Sequence, residues 1–226
     1  MSGSPMPNES AAELPPDSVW AALVSEPGTG VAVVDANHKI RYCNKTAARL
    51  MVGASPDDLI GRSLYDLLPK EIVDDHLERW RAMNHGNKPV LVRDMWRGQQ
   101  VMLTIRHTSD PETDADHYLV VIRHVAGDQE APSSMEMLVS DVIDLGPLDV
   151  LTPREIEVLA LIGQGLIAKE IASVLGCAPR TVDVHRQSIA RKLHVSDRVK
   201  LARIALDAGL MLKDAKRTRI PQNDES

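Results

Sequence analysis

Apolar and polar positions change rhythm several times along the chain. From Gly30 the run VAVVD, a turn at Asp35-Ala36-Asn37-His38 and the run KIRYCN form two β-rich stretches separated by turn formers, the pattern of a hairpin. Lys45 to Val52 brings Ala47, Ala48, Leu50 and Met51 at helical density, and IGRSLYDLLP closes a second short helical piece at Pro69. Over Glu71 to Met83 the side chains of Ile72, His76, Trp80 and Met83 share one helical face. Three strand-like runs follow, Val90 to Met95, Val101 to Arg106 and Tyr118 to His124. In the middle run Val101, Leu103 and Ile105 alternate with Met102, Thr104 and Arg106, the period of a strand with one buried face. Arg97-Gly98-Gln99 reads as a turn and TSDPETDAD as a solvated loop. Two strands, several short helices and three strands make an α+β order.

Residues 1–16 lack periodicity and read as a disordered leader, followed by a short helix from about Asp17 to Ser25. In the connector 127–147, Met135, Leu138, Val139, Val142 and Ile143 are spaced like one stripe of an amphipathic helix over about 133–145, which a dimer partner or a neighbouring domain of the chain would cover. Beyond it the caps sharpen. Thr152-Pro153-Arg154-Glu155 combines a capping hydroxyl, a proline at the first helical position and a glutamate three residues after the cap. The helix it opens runs to glycines 163 and 165. A second spans about Ala168 to Leu175 with Ile171, Val174 and Leu175 inward, and a third runs from Pro179 to about Leu193 with Val182, His185, Ile189 and Leu193 inward. A fourth, capped by Ser196, continues to about Ala208. Residues 213–226 read as a flexible tail.

Charge divides the chain in the same place. The formal net charge is -6, but residues 1–148 carry 13 basic and 22 acidic side chains while 149–226 carry 13 and 10. The acidic half is repelled by a phosphate backbone and the basic half is not. Seven basic residues lie between Arg180 and Arg203, against Asp183 and Asp197. A short helix, a tight turn and a longer helix form a helix-turn-helix, whose later helix enters the major groove of double-stranded DNA. Two distant cysteines make neither a disulfide framework nor a zinc motif, and no apolar run is long enough for a membrane span. With no phosphate-cradling glycine loop, paired carboxylate motif or metal-spaced cluster, the sequence does not read as an enzyme. The expected setting is cytoplasmic.

Residues 148–212 resemble the LuxR/FixJ-type four-helix DNA-binding domain. The likeness rests on Leu151-Thr152-x-Arg154-Glu155, Val158-Leu159, Gly165, Lys169-Glu170-Ile171-Ala172, Thr181-Val182, His185 and Lys192-Leu193 in that family's order. It implies a recognition helix over 180–193, base-edge contacts from Asp183, Val184 and Gln187, and phosphate contacts from Lys169, Arg180, Thr181, Ser188, Arg191 and Lys192. The chain departs from the pattern at Ile167, Ala168 and Ala178, where apolar residues replace capping ones.

The first domain, 17–126, resembles a PAS domain between residues 26 and 126. Gly30-Val31-Ala32-Val33-Val34-Asp35, Ile40-x-Tyr42-x-Asn44-x-x-Ala47 and Leu59-Ile60-Gly61-Arg62-Ser63-Leu64 carry the likeness. It implies a five-stranded antiparallel sheet with helices across one face, and a cavity for a small ligand, haem or flavin, or none. Leu64 stands where blue-light flavin domains place their reactive cysteine, which argues against a covalent flavin adduct. His76, with Trp80 and Met83 on its face, is similar in position to the haem ligand of FixL-type oxygen sensors. A lone histidine on an apolar face is more often simply packed, so a small apolar ligand or none is the default expectation. The whole reads as a transcriptional regulator, expected to be a homodimer, with a PAS input and a LuxR-type output. The rival is a PAS-based interaction adaptor whose DNA contact is vestigial.

Overall fold

A computed structural model describes residues 20–22, 24–83, 89–109, 116–125, 137–195 and 197–220, apart from the side chains of 81–83. The N-terminal half is built on a hairpin, β1 (Thr29–Asp35) and β2 (Ile40–Cys43). Its turn is tied by Asp35, whose Oδ1 accepts from the backbone N–H groups of Asn37 and Lys39. Helix α1 (Lys45–Val52) follows at once because Asn44 caps it. The Asn44 Oδ1 accepts from the N–H of Ala47 and of Val31, while Nδ2 donates to the carbonyls of Val24 and Thr29, so one amide joins helix, strand and the preceding segment. Helix α2 (Lys70–Met83) then crosses the sheet, burying Ile72, Val73, Leu77 and Trp80.

Strands β3 (Val90–Trp96), β4 (Gln99–Ser109) and β5 (Asp116–His124) complete the antiparallel part, in the spatial order β2-β1-β5-β4-β3. The period-two expectation for β4 holds: Val101, Leu103 and Ile105 are buried and Arg106 is exposed. Trp96 pairs with Gln99, leaving Arg97-Gly98 as a two-residue turn with both φ angles positive, as hairpin twist requires.

The connector departs from expectation. The sheet has a sixth strand, β6 (Met137–Val139), running parallel to β3 on its open edge, so it is mixed rather than purely antiparallel. The helix expected over 133–145 is absent where the chain is described. After β6 comes a turn at Ser140-Asp141 and then β7 (Val142–Ile143). The spacing of Leu138, Val139, Val142 and Ile143 suits a helix, but a free strand edge offers this short β-branched stretch backbone partners. Met135 and the rest of 126–136 lie outside the described residues.

The C-terminal half contains α3 (Pro153–Gly163), α4 (Ala168–Leu175), α5 (Pro179–Lys192) and α6 (Arg198–Ala208). The capping box forms as the sequence suggests. Thr152 Oγ1 accepts from the Glu155 N–H, and the Glu155 carboxylate accepts from the Thr152 N–H. Helix α3 lies at the centre, with Ile156, Val158, Leu159 and Ile162 buried. Val182 and Ile189 of α5 and Leu201 and Ala205 of α6 close around it. Gly163 permits α6 to approach, since a Cβ there would stand 2.7 Å from that of Ala205. On α4 the expectation fails at Val174, which is half exposed.

The tail expected from residue 213 is ordered through Ile220. A 3-10 turn at Leu212–Lys216 leads to β8 (Thr218–Arg219), which pairs in parallel with β7. Asp214, Ala215 and Ile220 are buried, because this segment fills the seam between sheet and helices. Glycines make that seam close. A Cβ on Gly98 would meet the Leu145 carbonyl oxygen at 2.7 Å, one on Gly146 the Arg97 carbonyl carbon at 2.6 Å, and one on Gly209 the Gln100 side chain at 2.7 Å. All three have positive φ. The leader 1–16 and residues 221–226 are outside the described residues.

Candidate nucleic-acid interface and the buried cavity

Helix α5 turns Val182 and Ile189 into the core, and its geometry leaves a contiguous outer face. Arg180, Thr181, Val184, Gln187 and Arg191 are exposed there, Val184 with 58% of its surface. Asp183 is half buried and pairs with Arg186 one turn along at 3.3 Å. Lys169 is exposed on α4.

Two residues expected to reach outward are tied inward instead. Lys192 Nζ donates to Glu155 Oε2 at 2.6 Å, and Ser188 also bonds this carboxylate. Burial of Glu155 by itself raises its pKa. The hydrogen bonds from Lys192, Thr152 and Ser188 outweigh that and bring it down from 4.5 to about 2. Lys192 and Ser188 therefore brace α5 against the start of α3. His185 is half buried on the same helix.

The missing caps have different outcomes. Where Ile167 opens α4 without a capping side chain, the Glu170 carboxylate accepts from its N–H at 2.7 Å. At Ala178 no side chain caps α5. The Thr181 N–H donates to the Ala178 carbonyl at 2.9 Å and Pro179 has no N–H, so the start of α5 is closed by backbone rather than by a side chain.

In the first domain a cavity of about 70 Å³ lies between sheet and α2, lined by Val34, Leu64, Ile72, Trp96, Leu103 and Ile122 among others. His76, Trp80 and Asp94 are its polar wall. His76 Nε2 is 3.0 Å from Asp94 Oδ2, and the Trp80 indole stacks on Tyr118 at 5.0 Å between centroids. Its Nε1 is buried with no hydrogen-bond partner among the described residues. Haem does not fit: an apolar cavity of 150 Å³ holds a benzene, this one is about half that, and the histidine nitrogen is committed to a carboxylate. The side chain of Met83, expected on the same wall, is outside the described residues. Among the described residues no three His, Cys, Asp or Glu side chains converge as a metal site, and no helix is long and apolar enough to cross a membrane.

The Asp94 pairing was invisible in the sequence, since its partners come from α2 and from a segment beyond α6. Asp94 Oδ1 accepts from Arg217 Nη2 at 3.1 Å and from the Met95 N–H at 2.7 Å. The hint was the charged pair Arg93-Asp94 at the centre of a strand that is otherwise apolar, VLVRDMW.

This architecture and these two sites define a two-part protein, a sheet domain with a cavity followed by a helix-turn-helix. Residues 28–129 match the family model of the PAS fold, and residues 149–205 match that of bacterial regulatory proteins of the luxR family. The chain is thus a PAS-fold domain fused to a LuxR-family regulatory domain. It is 48% identical over 62 residues to the transcriptional regulatory protein UhpA of Escherichia coli, a stretch covering 27% of this chain and 32% of UhpA. It is 31% identical over 170 residues to the transcriptional activator SolR of Ralstonia solanacearum, covering 70% of this chain and 66% of SolR. The chain spans about a third to a half of the length of the first curated relatives it matches. Among solved structures, VqmA in a ligand and DNA complex from Vibrio cholera shares the fold, with 18% identity, 92% and 95% of the two chains covered and a TM-score of 0.50.

Proposed function

We propose that this protein is a sequence-specific DNA-binding transcriptional regulator, acting in the cytoplasm as a homodimer, whose PAS domain receives a signal that sets the affinity of the helix-turn-helix. The observation that supports it best is the face of α5: Arg180, Thr181, Val184, Gln187 and Arg191 stand exposed in one band while the opposite side is locked to α3. Valine suits a thymine methyl and glutamine the N6 and N7 of adenine, so Val184 and Gln187 would read bases, joined by Asp183 toward cytosine. Arg180, Thr181, Arg191 and Lys169 would hold phosphates and set the register. Lys192 and Ser188 act at one remove, by fixing the angle of α5.

The signal we propose is a small neutral molecule in the PAS cavity. The volume admits only a few non-hydrogen atoms, and the partnerless Trp80 N–H favours an occupant with a hydrogen-bond acceptor.

Fluorescence anisotropy of the full chain with selected genomic fragments tests the reading. Arg191→Ala should weaken binding to all sequences alike and lower the salt slope by about 1, whereas Gln187→Ala should relax specificity at one base pair. Equal binding to every fragment, unchanged in both variants, would refute it.

A further inference from the structure

One set of buried polar groups runs from the cavity wall to the seam. His76 holds one oxygen of Asp94, and Arg217 holds the other. Arg217 is itself 7% exposed, and its remaining contacts are the Asp214 carboxylate at 3.2 Å and the Val142 carbonyl at 2.7 Å. Asp214, wholly buried, closes the loop by accepting from the Met211 N–H. One carboxylate on β3 is therefore shared between the cavity and the segment 211–220. That segment is hydrogen-bonded to the connector through β7 and β8, and Arg219 ties it to the carbonyls of Asp149 and Leu151 at the entrance to the helical domain. The same helix that carries His76 also grips the connector, since Arg79 reaches Asp141 at 3.2 Å and the Asp75 carboxylate accepts from the Asp141 N–H.

We propose that His76, Asp94 and Arg217 form the coupling through which the PAS cavity controls the seating of the C-terminal strap, and with it the docking of the helix-turn-helix. Asp94 has two oxygens and both are used. An occupant that draws His76 away leaves one oxygen unpaired in an apolar wall, so the carboxylate must turn or rehydrate, and its hold on Arg217 changes in the same movement. Arg217 has little slack to absorb this, because its Nε is already buried without a partner among the described residues. The segment 211–220 then loosens as a unit, releasing β8 from β7.

The role assigned to the cavity gives this coupling its purpose, but the test needs neither ligand nor DNA, so the two readings fail separately. Hydrogen exchange read by mass spectrometry on the full chain compares wild type, His76→Ala, His76→Gln and, as a core control away from the cavity, Ile40→Val. His76→Ala should speed exchange of peptides spanning 211–220 by about tenfold, His76→Gln, which keeps a donor for Asp94, should preserve protection, and Ile40→Val should leave the segment unchanged. In an Arg217→Met background, where the strap is already loosened, His76→Ala should add nothing further. Unchanged exchange in His76→Ala, an equal increase in Ile40→Val, or a full tenfold addition on top of Arg217→Met would each overturn the coupling.

Discussion

Lys192 and Gln187 stand five residues apart on α5 and have opposite tasks. Gln187 is exposed, while Lys192 spends its charge on the buried Glu155. Removing Lys192 leaves that carboxylate undercompensated, so Lys192→Ala should cost about 2 kcal/mol of stability in thermal or urea melts before any effect on DNA is considered. The same site gives the helical domain an acid limit. Because the folded pKa of Glu155 lies near 2 against an ordinary 4.5, its contribution is complete above pH 4.5 and is lost as the pH falls from there toward 2. Urea midpoints measured across that window should fall in the wild type and change much less in Glu155→Gln. Ala178, in contrast, is a position to improve. A serine there should cap α5 for about 1 kcal/mol, raising the melting temperature of a chain of this length by about 2–4 °C. No rise would mean that the helix start is satisfied in another way.

At the scale of elements, sequence patterns were reliable where a local feature decides and unreliable where a distant partner does. The box Thr152-Pro153-Glu155 sets the start of α3 within four residues, and the alternation in Val101 to Arg106 sets the burial of β4. Asn44 and Asp35 organise their turns from neighbours in sequence. The connector is different. Leu138, Val139, Val142 and Ile143 satisfy a helical stripe and a pair of short strands about equally, and only the open edge of β3 selects between them. Val174 falls on the expected inward stripe of α4, yet nothing packs over it enough to bury it. Since Ile143 is fully buried in the core of the helical domain, Ile143→Ala should cost about 3 kcal/mol in a thermal melt; a loss under 1 kcal/mol would restore the connector to the status of a loose linker.

Across the whole molecule, the two domains are not beads on a string. Met95 of β3 belongs to the same buried cluster as α3 and α6, and the Arg97-Gly98 turn sits against Leu145 and Gly146 with no space for a methyl group. Gly98→Ala combines a left-handed backbone with a 2.7 Å clash, so it should prise the seam apart. Calorimetry should then show the single unfolding transition expected of the wild type split into two, while an unsplit transition in the variant would show that the seam adapts. This part of the structure was illegible from sequence because its decisive pairs, such as Asp94 with Arg217, join residues 123 positions apart. A basic, polar stretch after the last helix resembles a solvated tail until its buried counter-charges are known.

The parallel pairing of β7 with β8 has a practical consequence. The polypeptide enters the helical unit at Val142 and returns from it at Thr218, its partner on the neighbouring strand, so the unit's two ends lie side by side, about 5 Å apart between paired backbones. A module whose ends meet in this way can be cut out and spliced into a surface turn of an unrelated host without stretching either protein. Such a graft would leave bare the face that Met95 and the Arg97-Gly98 turn cover here, so its stability would measure how much of the helical fold is its own.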